Sequence, residues 1–201
     1  MKLIFISGPS GSGKTTLSNQ ILVKIKNGIV LSTDNYYKTG LISKVLSKFV
    51  QGYFDRSLSF NYKLFKKDFA FIIKNRISIQ ERSYNFKKKT IKNLLNEKNN
   101  IKFLIVEGIF AKDFANNIYS KNVFLLELKI NKNDCMRRVI NRDSKERGKE
   151  KKQAKNDFLK SWDIYIKRSK NKNKKRNINE ILITKGTNID LIIKKIFNYS
   201  S

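Results

Sequence analysis

The eight residues Gly8-Pro9-Ser10-Gly11-Ser12-Gly13-Lys14-Thr15 constrain this chain more than any other feature. They satisfy the pattern Gly-x-x-x-x-Gly-Lys-Ser/Thr in full. They also lie between an apolar run at residues 2–7 and an apolar stripe at Leu17, Ile21, Leu22 and Ile25. The run predicts a buried strand ended by Gly8-Pro9, and the stripe predicts one face of a helix over residues 14–27. Strand, glycine-rich turn and helix in that order make a phosphate-binding loop. Glycines let the backbone curl so that successive N–H groups point inward, and the helix N-terminus adds its dipole at the same place. Lys14 is then placed for the β- and γ-phosphates of a nucleotide, and Thr15 for Mg²⁺. Gly8, Ser10, Gly11, Ser12, Gly13, Lys14, Thr15 and Thr16 form the expected nucleotide-binding set.

Beyond that unit the pattern keeps alternating. Short strands are expected at residues 29–31, 77–80, 101–106, 123–130 and 181–184, with a loop or short hairpin from 80 to about 92. Helices are expected at 41–50, 62–75, 111–120, 132–142, 150–168 and 189–197. Alternation of this kind implies right-handed crossovers and a parallel sheet covered by helices on both faces. The fold class expected is α/β, a five-stranded parallel sheet in one P-loop domain.

Composition removes several function classes. The chain has no His, which excludes a His-based triad, a His general base and His-ligated zinc. The lone Cys135 excludes an internal disulfide and suits a reducing, cytoplasmic setting. Apolar runs such as Val123-Phe124-Leu125-Leu126 are too short to span a membrane, and Gly8-Pro9 stops the first run before it could serve as a signal core. No membrane partner is expected. The formal net charge of +28 points to polyanions at first sight. Yet Lys, Ile and Asn number 35, 26 and 23, all residues with AT-rich codons, and Arg, the better bidentate phosphate ligand, only 9. Biased composition therefore accounts for the charge, and any nucleic-acid binding is expected to be non-specific. The stretch 167–176 is read as a solvated basic loop.

A phosphate-binding loop leaves the phosphate acceptor undefined. Asn131-Lys132-Asn133-Asp134 after a strand is like the guanine-reading motif of GTPases, but no Asp is followed three residues later by Gly, so the switch element is missing. A kinase needs a base or orienter for the acceptor hydroxyl and a carboxylate for the metal. In an open parallel sheet, ligands sit at the carboxyl ends of the strands. Asp34, after the strand at 29–31, and Glu107, ending the strand at 101–106, are the acids there.

An ordered set of motifs carries a resemblance. After the loop come Asp34-Asn35-Tyr36-Tyr37-Lys38, Phe54-Asp55, Tyr84-Asn85-Phe86, Glu107-Gly108-Ile109, Arg142-Asp143 and Glu146-Arg147-Gly148-Lys149. From about residue 3 to 165 the chain resembles the uridine kinase family, within the group that includes phosphoribulokinase. The resemblance implies ATP as donor, Mg²⁺ as cofactor and a nucleoside, uridine or cytidine, as the small-molecule acceptor. It implies Asp34 as catalytic base, with Lys14, Arg142 and Arg147 completing the catalytic set. It assigns Tyr37, Asp55 (to the ribose hydroxyls), Tyr84 (to the base) and Arg142 to the acceptor, and Thr15 and Glu107 to the metal. Arg142, Arg147 and Lys149 would belong to a basic lid at about 142–155, and an acceptor-site insertion is expected at about 52–92.

The chain departs from the family pattern on the acceptor side. Arg56-Ser57-Leu58-Ser59 follows Phe54-Asp55 where the family commonly has His-Pro and an acid. Asn85 replaces Asp, and Lys87-Lys88-Lys89 stands in the region of a base-reading His. Two alternatives accompany the nucleoside kinase: a related kinase for a sugar-phosphate or vitamin-like acceptor, and a basic P-loop protein that binds nucleic acid. The oligomeric state, including a possible homo-oligomer, is left open.

Overall fold

The computed structural model describes residues 1–50, 52–86, 88–116, 118, 122–170 and 178–198. Five parallel strands form its main sheet: β1 (Lys2–Ser7), β2 (Gly28–Ser32), β5 (Phe103–Glu107), β6 (Val123–Leu128) and β7 (Asn179–Ile183). Their spatial order is β2-β5-β1-β6-β7. An antiparallel hairpin, β3 (Ser78–Asn85) and β4 (Thr90–Lys98), stands apart from it. The helices are α1 (Lys14–Lys24), α2 (Leu41–Phe49), α3 (Tyr62–Asn75), α4 (Ala111–Ala115), α5 (Lys132–Arg147), α6 (Lys151–Lys170) and α7 (Ile189–Asn198).

The two-residue period of β1 explains the layering. Leu3 and Phe5 face one side, where Leu104, Val106 and Leu125 join rings from α3 and its neighbours, including Phe65, Phe60 and Phe114. Ile4 and Ile6 face the other, with Ile105, Phe124 and Leu126, under Leu17 and Ile21 of α1 and Ile192 and Ile196 of α7. Both faces of the central strands are sealed, so these strands read as continuous apolar runs. Truncating one such residue, Ile105 for instance, would cost about 2–5 kcal/mol.

Register then positions the site. Glu107 pairs with Ile6 on one side and with Ser32 on the other, so β1, β2 and β5 end at one level. The turn after β1, the 3₁₀ turn Thr33–Tyr36 after β2, and Glu107 therefore share one edge of the sheet.

Several expected boundaries shift. The helix expected at 111–120 is the single turn of α4, and of 116–120 only Asn116 and Ile118 are described, neither helical. The strand at 77–80 becomes a hairpin whose second strand alone has nine residues. The helix from 132 runs to Arg147, five residues beyond its expected end. Asn131, in the tetrapeptide resembling a guanine motif, caps that helix: its side chain accepts from the Asn133 N–H at 2.8 Å. Of the basic stretch 167–176, residues 167–170 end α6 and the remainder lies outside the described residues. No described helix is long and apolar enough to cross a membrane.

Candidate active site

A cleft of about 940 Å³ opens at the carboxyl edge of β1, β2 and β5. Ser10, Gly11, Gly13, Lys14, Thr15 and Thr16 form one wall, while Gly8 and the buried Ser12 do not line it. Gly11 has φ +78°, and a Cβ there would lie 2.4 Å from the Cys135 carbonyl oxygen, so α5 packs directly on the loop and only glycine fits. Arg138 of α5 reinforces that contact by donating to the Gly11 carbonyl at 3.3 Å. The Lys14 ammonium donates to the Pro9 carbonyl at 2.9 Å. Burial lowers its pKa, and the nearby Glu107 and Asp34 carboxylates oppose that shift.

Asp34 and Glu107 line the same cleft. The Tyr37 hydroxyl donates to Asp34 Oδ1 at 3.2 Å, which fixes the carboxylate's orientation. Glu107 is 5% exposed, and its pKa is raised by burial and by Asp34, against the pull of Lys14 and a hydrogen bond from Ser32. No cluster of three or more His, Cys, Asp or Glu among the described residues could hold a metal by itself. A hydroxyl and a buried carboxylate beside a phosphate loop do suit Mg²⁺, which takes few protein oxygens and shares the rest with phosphates and water. Thr15 and Glu107 are the residues that fit.

The other walls come from two directions. The turn Tyr53–Asp55 and the residue after β3 supply Tyr53, Phe54, Asp55 and Phe86. The Tyr84 ring does not line the cleft. It is 7% exposed and backs the rings of Tyr37, Phe54 and Phe86, with centroids 5.3, 6.1 and 5.0 Å away. Tyr84 follows the alternation of β3 inward, and Phe86, two residues on and past the strand end, reaches the cleft instead. The Asp55 carboxylate accepts from Ser161 Oγ at 2.6 Å, and burial raises its pKa.

Arg142, Arg147 and Lys149 also line the cleft, gathered by one acid. Asp143, 3% exposed, accepts from Arg142 at 2.8 and 2.9 Å and pairs with Arg147 at 3.4 Å and Lys149 at 3.8 Å. Lys149 also reaches Asp157 at 2.7 Å. The Arg147 guanidinium lies 3.9 Å from the Phe86 ring centroid, joining the end of α5 to the hairpin. The sequence-predicted residues, Tyr84, Gly8 and Ser12 apart, thus share one cleft. Sequence reasoning gave no role to Asp143, Phe86, Ser161, Arg168 or Lys89. A lone acid inside the block Arg142-Asp143 was a usable signal for the first, and none marked the others individually.

A sequence profile described as the Phosphoribulokinase / Uridine kinase family matches residues 3–185. The chain belongs to that family. Among its relatives in the family, a uridine kinase of Ureaplasma parvum serovar 3 is 31% identical over 153 residues, covering 73% of this chain and 71% of that protein. A uridine kinase of Borrelia duttonii is 33% identical over 132 residues, 62% of this chain and 60% of the relative. In fold, the chain is similar to D-glycerate 3-kinase from Cryptococcus neoformans, with a TM-score of 0.62, 13% identity, and coverage of 91% of this chain and 86% of the other. The family member described here is a phosphotransferase acting on a hydroxyl group, built on the fold of P-loop kinases.

Proposed function

We propose that this kinase transfers the γ-phosphate of ATP to the 5′-hydroxyl of a pyrimidine nucleoside, uridine or cytidine. The observation carrying this reading is the cleft's division of labour. Lys14 and Thr15 line the cleft together with the Asp34 carboxylate, whose charge acts on Lys14, and Phe54, Phe86 and Asp55 supply further wall. Flat aromatic walls suit a base, and a buried carboxylate suits a pair of sugar hydroxyls. The uridine kinase relatives support the same acceptor class.

The chemistry follows from the residues. Asp34, oriented by Tyr37, accepts the 5′-hydroxyl proton as that oxygen bonds to the γ-phosphorus. The bond to the β,γ-bridging oxygen breaks and ADP leaves. Lys14, Arg142 and Arg147 spread cationic charge around the transferring group, and Lys149 adds to the ATP contacts. Thr15 and Glu107 would hold Mg²⁺, which would supply further neutralisation of the phosphates. Residues 142–155, spanning the turn between α5 and α6, act as the lid, and residues 52–92 as the acceptor-site insertion. A cytoplasmic setting suits both ATP supply and the free, buried Cys135.

A second reading, a phosphorylated acceptor, is favoured by Lys48 and Lys89 at the acceptor end. Coupled assays with ATP against uridine, cytidine and a panel of sugar phosphates separate the two. Uridine or cytidine is expected to give the highest kcat/KM, and preference for a sugar phosphate would reverse the order. With the preferred acceptor, Asp34→Asn should cut turnover by about 10²–10⁴-fold with little change in the ATP KM. Unchanged turnover would remove Asp34 from the mechanism.

A further inference from the structure

Helix α6 meets the acceptor side through one face. Ser161, Ile164 and Arg168 are spaced i, i+3, i+7 and so lie along a single stripe. All three touch the turn that carries Asp55. Gly52, with φ +63°, begins that turn, and a Cβ there would stand 2.3 Å from Ile164 Cδ1, leaving no space between helix and turn. Ser161 Oγ donates to Asp55 Oδ2 at 2.6 Å, and Arg168 Nη1 donates to the Asp55 carbonyl at 3.3 Å. Arg168 Nη2 also donates to the Ile109 carbonyl, and its guanidinium lies 4.7 Å from the Phe110 ring centroid. One side chain thus ties the Asp55 turn to the turn that follows Glu107. A narrow gap lined by Pro9, Ser10, Asp55 and Trp162 continues from this joint to the phosphate loop.

We propose that Ser161 and Arg168 are positioning residues for the acceptor, holding Asp55 with Oδ2 occupied and Oδ1 left to accept from a substrate hydroxyl. The proposal rests on the reading of Asp55 as an acceptor contact. It adds that α6, whose first turns carry Gln153 and Asp157 into the cleft beside Lys149, is the support of the acceptor carboxylate as well. The alternative is packing alone, in which the Ser161 hydroxyl and the Arg168 fork only stabilise the helix. The two differ in what a gentle substitution does. Burial raises the pKa of the Asp55 carboxylate and Asp34 adds to that shift, while the Ser161 hydrogen bond, Arg168 and Lys14 oppose it. Removing the Ser161 hydroxyl leaves Asp55 easier to protonate and free to rotate.

The test is steady-state kinetics of Ser161→Ala, Ser161→Thr, Arg168→Lys and Asp55→Asn, with uridine and ATP varied separately. Ser161→Ala should raise the uridine KM about tenfold, the scale of one hydrogen bond to a charged group. It should leave kcat within about twofold and the ATP KM unchanged, and it should move the acidic limb of kcat/KM for uridine to higher pH. Ser161→Thr keeps the hydroxyl and should restore the uridine KM. Arg168→Lys, which lacks the two separate nitrogens that reach the Asp55 and Ile109 carbonyls, should raise it. In an Asp55→Asn background Ser161→Ala should add nothing, because the group it positions is already changed. A uridine KM unmoved in Ser161→Ala, equal loss for both substrates, or full additivity with Asp55→Asn would overturn the proposal. Should the wild type reject both uridine and cytidine but accept a sugar phosphate, the nucleoside reading fails. The clamp is then judged by the same shifts with that acceptor.

Discussion

Glu107 sits at 5% exposure beside a second carboxylate, and its pKa is raised by burial and by Asp34. Below its ordinary value of 4.5, the group is protonated in folded and unfolded chains alike and contributes nothing. As pH rises through that value the unfolded chain releases the proton first, and the folded state loses stability until the raised pKa is passed. Glu107→Gln should therefore raise Tm at pH 8, by about 2–4 °C for each kcal/mol relieved, with the gain vanishing toward pH 4. Thermal melts at the two pH values check this, and a lower Tm at pH 8 would contradict it. The same variant should lose turnover and need more Mg²⁺. At this scale Asp34 and Glu107 were legible because a polar residue ending an apolar run announces a strand terminus. Ser161 and Arg168 were not, because the partner they share, Asp55, lies more than a hundred residues away.

The hairpin is the element that sequence reasoning foresaw least well. A strand or short hairpin was expected, but β4 runs for nine residues, all but Ile91 exposed. With almost no buried face, its alternation leaves no trace in the apolar pattern, and the abundance of Lys and Asn hides what little remains. Long-range contacts hold it. Arg82 pairs with Asp68 at 2.6 Å, and the Tyr84 N–H donates to Asn35 Oδ1 at 3.0 Å. The central strands, sealed on both faces, were by contrast plain in sequence to within about two residues. The stack of Arg147 on Phe86 gives the hairpin a role toward the end of α5. Phe86→Leu keeps the site apolar but removes the ring face, a contact worth about 0.5–2 kcal/mol. It should raise the acceptor KM about 3–10-fold by the same energy scale. Kinetics with varied acceptor and varied ATP measure it, and a change confined to the ATP KM would place Phe86 on the donor side.

For the whole molecule, the +28 charge is expected to behave as a diffuse property. Binding to DNA or RNA oligonucleotides should be weak and indifferent to sequence, falling about 10³-fold between 50 and 200 mM salt. Fluorescence polarisation with two unrelated oligonucleotides tests this, and sub-micromolar, sequence-selective binding at physiological salt would contradict it. The chain's single tryptophan, Trp162, stands on α6 with its ring 5.6 Å from that of Phe158, in the gap it shares with Pro9, Ser10 and Asp55. The one strong native fluorophore thus stands at the joint between the phosphate loop and the Asp55 turn. Its emission should serve as a built-in gauge: each substrate, added alone, is expected to write its own spectral signature on the same ring, with no label attached.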